Sequence, residues 1–244
     1  MVSFLSTLAV SALALAGSTN GLIVGEYFRP TGAQVSGFVG ASAPYVRSPC
    51  PALNALANHG YLPRDGKNIS RNILKAAIET IYNIGSDVAT TLVNGVPEVI
   101  SLSDLGEHNL VEHDASLAHA DSYYKKDPSV LDQNLWEDLL SRAKNGKFGV
   151  SELASARKDR MARCKAKPSG CDFELKQRTL AFGVASLMLR ALGGKNEESI
   201  SVEYATSFFV DERLPMGYTK PPSAINTAAL LGTAAKIQAL APFQ

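Results

Sequence analysis

The stretch Ser48-Pro49-Cys50-Pro51-Ala52-Leu53-Asn54-Ala55-Leu56-Ala57-Asn58-His59-Gly60 decides how the chain is read. Proline lacks a backbone donor and fixes φ, so Pro51 suits the first position of a helix, and Gly60 suits its stop. Cys50 then stands at the N-cap. There the free amides of Ala52 and Leu53 point at the sulfur and the helix dipole favours negative charge, which stabilises the thiolate. A thiolate is the form that a soft metal binds. The competing reading of a lone cysteine is a buried, inert thiol.

The chain has three cysteines, so the other two decide whether Cys50 stands alone. Cys164 and Cys171 enclose Lys-Ala-Lys-Pro-Ser-Gly, whose Pro168 and Gly170 favour chain reversal, and a local disulfide between them is geometrically reasonable. Paired thiols suit an oxidising destination, where an odd cysteine needs a reason to stay free. Met1 to Ala16 supplies the route: an apolar run ending in the small-x-small pattern Ala14-Leu15-Ala16 predicts a signal peptide over 1–16, with only the amino terminus as its positive charge. A membrane anchor is the alternative, but the run is short and Gly17-Ser18-Thr19-Asn20-Gly21 follows at once. Secretion is the expectation. Of 244 residues 45% are apolar, enough for one sizeable domain over 17–244. Lys plus Arg number 24 against 23 Asp plus Glu, so no net field attracts a polyanion and nucleic acid is not an expected partner.

Working outward along the chain, helical spacing dominates. Ile73, Leu74, Ala77, Ile78, Ile81, Tyr82, Ile84, Val88 and Leu92 predict one long helix ending near Asn94-Gly95. Irregular chain follows from about Leu102, with a helix expected to begin near Asp114. Further helices are predicted over Asp132–Lys144, Ser151–Lys165, Phe173–Leu192 (stopped by Gly193-Gly194), Val202–Val210 and Ile225–Leu240. Sustained period-two patterns are absent, so strands are minor and the fold class is all-α. Gly17 to Ser48 reads as an extended arm leading to Cys50.

A second constellation is Glu112-His113-Asp114-Ala115-Ser116, followed by His119. Carboxylate, imidazole and hydroxyl this close together could hold a metal, cap a helix around Asp114 and Ser116, or lie on a solvated turn. By residue chemistry alone capping is favoured. Zinc on His108, His113 and His119 is the weakest reading, because no Cys or His pair has structural-zinc spacing. Asn68-Ile69-Ser70 is a glycosylation sequon. Phe182, Leu187, Phe208 and Phe209 line a cavity or belong to the core, and His59 and His119 are expected to be structural.

Pro49 to Ser70, PCPALNALANHGYLPRDGKNIS, closely resembles the proximal-ligand segment of the fungal chloroperoxidase and short unspecific peroxygenase family. Glu112–Ser116, then ARKDRMARCKA, CDFELKQRTLAFG and SFFVDERLPMGY before Pro221-Pro222, fall in the family's order. The resemblance implies a single-domain multi-helix chloroperoxidase-like fold with haem b between the Cys50 helix and a distal helix layer. It implies Cys50 as the iron's axial ligand, its donation moderated by the amides of Ala52 and Leu53. It implies a structural magnesium or manganese ion on Glu112, the backbone carbonyl of His113 and Ser116, and the His113 side chain as the distal acid-base residue. The partners implied are hydrogen peroxide and a small organic substrate.

One position departs from the family. Val184 stands where short peroxygenases carry an acid-base glutamate, and valine moves no proton. Glu174 lies ten residues away, about 15 Å along a helix, too far to substitute. The expectation is therefore a peroxidase or peroxygenase resting on His113. The alternatives are a haem-binding protein of the same fold with little turnover, or a dedicated tailoring oxidase of secondary metabolism.

Overall fold

In the computed structural model Pro51–Asn58 forms helix α1, with Pro51 in its first turn and Cys50 at its N-cap with extended φ −100° and ψ 106°. The structure describes residues 21–167, 170–196 and 198–242, so the signal-peptide expectation for 1–16 lies outside the described residues. Seven more α-helices follow among them: α2 Arg71–Tyr82, α3 Ser86–Asn94, α4 Gln133–Leu140, α5 Val150–Lys165, α6 Leu175–Leu187, α7 Val202–Phe209 and α8 Thr227–Leu240. Strands are confined to two-residue ladders. Val35–Ser36 pairs in parallel with Tyr45–Val46, while Ile69–Ser70 with Val99–Ile100 and Lys147–Phe148 with Ile200–Ser201 pair antiparallel. The all-α expectation holds.

The helices pack where their apolar stripes meet. α1 lies against α7, α2 against α3, and α8 covers both α6 and α5. Ser186 of α6 donates its hydroxyl to the Leu230 carbonyl of α8 at 2.8 Å. Leu56, Leu102, Leu153, Ala181, Leu189 and Phe208 are buried in one continuous core. The amino-terminal arm is tied to the carboxyl end of α1 by Gly25 N to His59 O and Phe28 N to Asn58 O, both 2.8 Å.

Two expectations about helices need correction. The predicted long helix is two, α2 and α3, because Asn83 takes a left-handed conformation (φ 53°) that ends α2. Asparagine tolerates that region. The hydrophobic period runs through the break because Ile84 and Val88, beyond it, face the same core as Ile78. The helix expected from Asp114 is absent. Asp114 spends its carboxylate on the amides of Ser122 and Asp172, at 2.7 and 2.8 Å, and Ala115 turns left-handed at φ 58°. The Phe173–Leu192 segment keeps its length but closes with a π turn over Met188–Leu192 before Gly193-Gly194.

Candidate haem site

Cys50 is the free cysteine among the described residues and is half-buried. Its sulfur makes no capping hydrogen bond to the helix. Burial pushes its thiol pKa up, and the amides of Leu53 and Ala52 pull the other way by favouring the thiolate. The thiolate stabilisation expected at the N-cap is therefore outweighed by desolvation in the chain by itself. A soft cation at the sulfur would tip that balance to the thiolate, as metal ligation does elsewhere. Around it Ala52 and Leu53 are half-buried apolar groups packed on the core, a surface that a flat apolar macrocycle would cover. The residues present thus fit haem on this side.

The loop entering Cys50 is fixed by polar groups that sequence reasoning passed over. Buried Asn54 accepts from Ser48 N (2.8 Å) and Ser48 Oγ (3.0 Å), and donates to Ser48 O (2.9 Å) and Glu212 Oε1 (2.6 Å). Glu212 is in turn paired with Arg29 at 3.1 Å. Arg47, 2% exposed, donates twice to Asn58 Oδ1, at 3.1 and 2.6 Å. Asn58 Nδ2 donates to Glu212 O at 3.0 Å. Tyr82 reaches from α2 to the Ala52 carbonyl at 2.8 Å, closing the cage around the first turn of α1. Asn54 and Glu212 both sat inside the motifs quoted above, but no spacing rule links them.

The Glu112–Ser116 loop is held from outside by α5. Arg157 Nη1 donates to Ala115 O (2.8 Å), and Arg160 Nε to Ser116 O (2.6 Å). Arg160 also pairs with Asp121 at 2.6 Å, whose carboxylate accepts from Ala115 N at 2.7 Å. These contacts offset the strain of a left-handed alanine. His113 is buried, with its Nδ1 2.7 Å from Asp114 O. A carbonyl only accepts, so Nδ1 carries the hydrogen and Nε2 is the basic nitrogen. Burial, with the Arg157 charge, pushes the His113 pKa down to about 4. The imidazole is neutral at ordinary pH. The Phe173 ring packs beside it at 6.2 Å.

The remaining predicted residues fall as follows. Val184 is half-buried on α6 and Glu174 is exposed at the N-cap of that helix. Phe182 and Phe208 are core, while Leu187 and Phe209 are partly buried. The disulfide Cys164–Cys171 is formed, with a Cα separation of 5.4 Å. Asn68 is exposed in a left-handed turn, and Ser70 caps α2 through Ile73 N at 3.3 Å. His59 accepts from Leu214 N (3.2 Å) and is structural. His119 is buried, with its pKa pushed down to about 4 by desolvation. Glu112 is buried and contacts His108 Nδ1 at 2.7 Å, and burial raises its pKa against the pull of that imidazole. Ser116 Oγ accepts from Ala118 N (3.4 Å) and His119 N (3.2 Å). Glu112 and Ser116, two of the expected cation ligands, are each engaged by groups of the protein itself: Glu112 by His108, expected only as a weak zinc ligand, and Ser116 by two backbone amides.

Residues 27–223 match the family model described as Peroxidase, family 2, and the chain belongs to this haem-thiolate peroxidase family, with its chloroperoxidase-like all-α fold. Haem is the cofactor that the family implies. Among relatives, the chain is 26% identical over 207 residues to an aromatic peroxygenase of Cyclocybe aegerita, covering 73% of this chain and 56% of that protein. It is 41% identical over 88 residues to a chloroperoxidase of Leptoxyphium fumago, covering 33% and 24%. It is 31% identical over 121 residues to a dothistromin biosynthesis peroxidase of Dothistroma septosporum, covering 39% and 29%. The chain matches only about half the length of the first of these relatives.

Proposed function

We propose that this chain is a secreted haem-thiolate peroxidase or peroxygenase that uses hydrogen peroxide to oxidise a small organic substrate. The observation that carries the reading is Cys50: a free cysteine at the amino end of a helix, faced by two amides, inside the segment that matches the family. Haem, when bound, supplies the redox chemistry with peroxide. Cys50 would hold the iron, and Ala52 and Leu53 would moderate the electron density on the sulfur. His113 is neutral, with Nδ1–H committed to Asp114 O, which would leave Nε2 to take a proton from one peroxide oxygen and return it to the other. Val184 supplies no second carrier, so this transfer rests on one imidazole. The same reading includes a signal peptide over 1–16, a glycan on Asn68, and a magnesium or manganese ion on Glu112, the carbonyl of His113 and Ser116.

The test is spectroscopic, then catalytic. The reduced carbon monoxide complex is expected to show the red-shifted Soret band of thiolate ligation, lost in Cys50→His, and the protein to oxidise a phenol with peroxide. A wild-type spectrum of imidazole ligation would refute the reading. Val184 favours a second version, a tailoring oxidase kept for one substrate, as the name of the Dothistroma relative suggests for that protein. Slow turnover on general phenols with fast turnover on a single other substrate would select it.

A further inference from the structure

The Gln177 side chain ends in an atom without a partner. Gln177 is 7% exposed, and its Oε1 is a buried side-chain oxygen that makes no hydrogen bond among the described residues. Its neighbours fix which way the amide faces. The Asp172 carboxylate accepts, so Asn109 presents Nδ2 to it at 2.6 Å, and Asn109 Oδ1 on the other side accepts from Gln177 Nε2 at 2.7 Å. Turned over, the Gln177 amide would set oxygen against oxygen. Asn109 is fixed in turn, its N–H donating to Glu112 O at 3.1 Å and its carbonyl accepting from Lys176 Nζ at 2.8 Å. A bare acceptor held this firmly away from water is costly until a donor reaches it.

Oε1 stands at one end of an apolar strip. Seven residues are close to two full turns, so Gln177 and Val184 share a face of α6, about 10 Å apart along its axis. Leu180, Val184 and Leu187 are half-buried on that side, and a β-carbon added at Gly183 would meet nothing within 4 Å. With valine at 184 the strip bears no charge. It borders the loop of His113, because Phe173, just before α6, packs beside the His113 ring at 6.2 Å and Asn109 is bonded to Glu112.

We propose that this strip takes the organic substrate, an elongated apolar molecule with one terminal hydroxyl, and that Gln177 Oε1 accepts the hydrogen of that hydroxyl. Peroxide by itself has no use for an apolar strip about 10 Å long, whereas a ring and a short tail cover the leucines and the valine while the hydroxyl satisfies the oxygen. Selectivity follows from the bare acceptor. A methyl ether of the same skeleton leaves Oε1 unpaired and sets a carbon against it, and a site built around a hydroxyl discriminates strongly against the analogue that lacks the donor. The proposal rests on the peroxidase reading and names the substrate class of that site.

The test measures binding without peroxide. The full chain as purified is titrated by calorimetry with 4-propylphenol and, separately, with its methyl ether. The phenol is expected to bind at least about tenfold more tightly than the ether. In Gln177→Leu that preference should fall to about twofold or less, through weaker binding of the phenol. Gln177→Met, similar in length and without a strong acceptor, backs up the leucine variant if that folds poorly. A structural role for Gln177 alone would weaken both ligands alike and leave their ratio unmoved. Equal binding of phenol and ether by the wild type, a ratio unchanged in both variants, or variants that raise only the KM for peroxide overturn the proposal. Calorimetry reads the ratio whatever the carbon monoxide spectrum reports, so failure here is distinct from failure of the peroxidase reading.

Discussion

Asn54→Ala removes the side chain that braces the approach to Cys50. Asn54 is 1% exposed and makes four hydrogen bonds, two accepted from Ser48, one donated to Ser48 O and one donated to Glu212 Oε1. Truncation leaves a buried amide, a carbonyl and part of a carboxylate without their partner. Each orphaned buried group costs about 1–3 kcal/mol, and some relaxation is shared among them, giving a net loss of about 3–5 kcal/mol. For a domain of this size that is roughly 6–20 °C in Tm, at about 2–4 °C per kcal/mol. Loss of haem should accompany it, because Ser48 fixes the backbone two residues before the ligand. Thermal unfolding by circular dichroism, with the Soret-to-protein absorbance ratio as the measure of haem retention, reads both effects. Asn54→Asp keeps the accepting oxygen but sets a second carboxylate against Glu212, and should destabilise less in acid than at neutral pH. If Asn54→Ala melts within about 2 °C of the wild type and keeps its haem, the bracing argument is wrong.

Val184→Glu restores a carboxylate at the family's acid-base position and is expected to raise peroxide-dependent phenol oxidation by about 10²–10⁴; no gain in a correctly folded variant would mean that the His113 pathway does not need it. His113→Ala should lower the same rate by a comparable factor with the carbon monoxide spectrum unchanged. The buried imidazoles of His113 and His119 bind protons only near pH 4 in the folded chain, whereas an unfolded chain binds them near the ordinary 6.5. Stability is therefore fully present above about pH 6.5 and falls as pH drops towards about 4, by roughly 3 kcal/mol per imidazole at most, and urea titrations across that window should show the slope weakened in His119→Gln. Opening the Cys164–Cys171 disulfide, which closes a short loop with a sequence separation of 7, should cost about 2–3 kcal/mol and lower the Tm in reducing buffer, an effect absent from the Cys164→Ser/Cys171→Ser double variant.

What the sequence determined by itself were the features whose causes lie within a few residues. Pro51 and Gly60 bound α1 and place Cys50 at its N-cap because proline geometry and left-handed glycine act locally, and the helical periods of α5, α7 and α8 survive in the structure within a residue or two, while α4 ends at Leu140, four residues short of the expected Lys144. The disulfide was legible for the same reason. The tertiary structure alone decided the Glu112–Ser116 loop and the bracing of the segment before Cys50. Asp114 looked like a helix cap but bonds to amides eight and 58 residues away, and Asn54 is braced by Glu212 at a separation of 158, distances at which no periodicity speaks. The break at Asn83 was hidden because hydrophobic spacing records which side chains meet the core, and two helices in a hairpin share one core. His108 acquired its place beside Glu112 and Asp172 only when the chain brought residues 108 and 172 together. Burial and long-range pairing set the electrostatics of the Glu112–Ser116 loop, and both are properties of the packed molecule rather than of any segment within it.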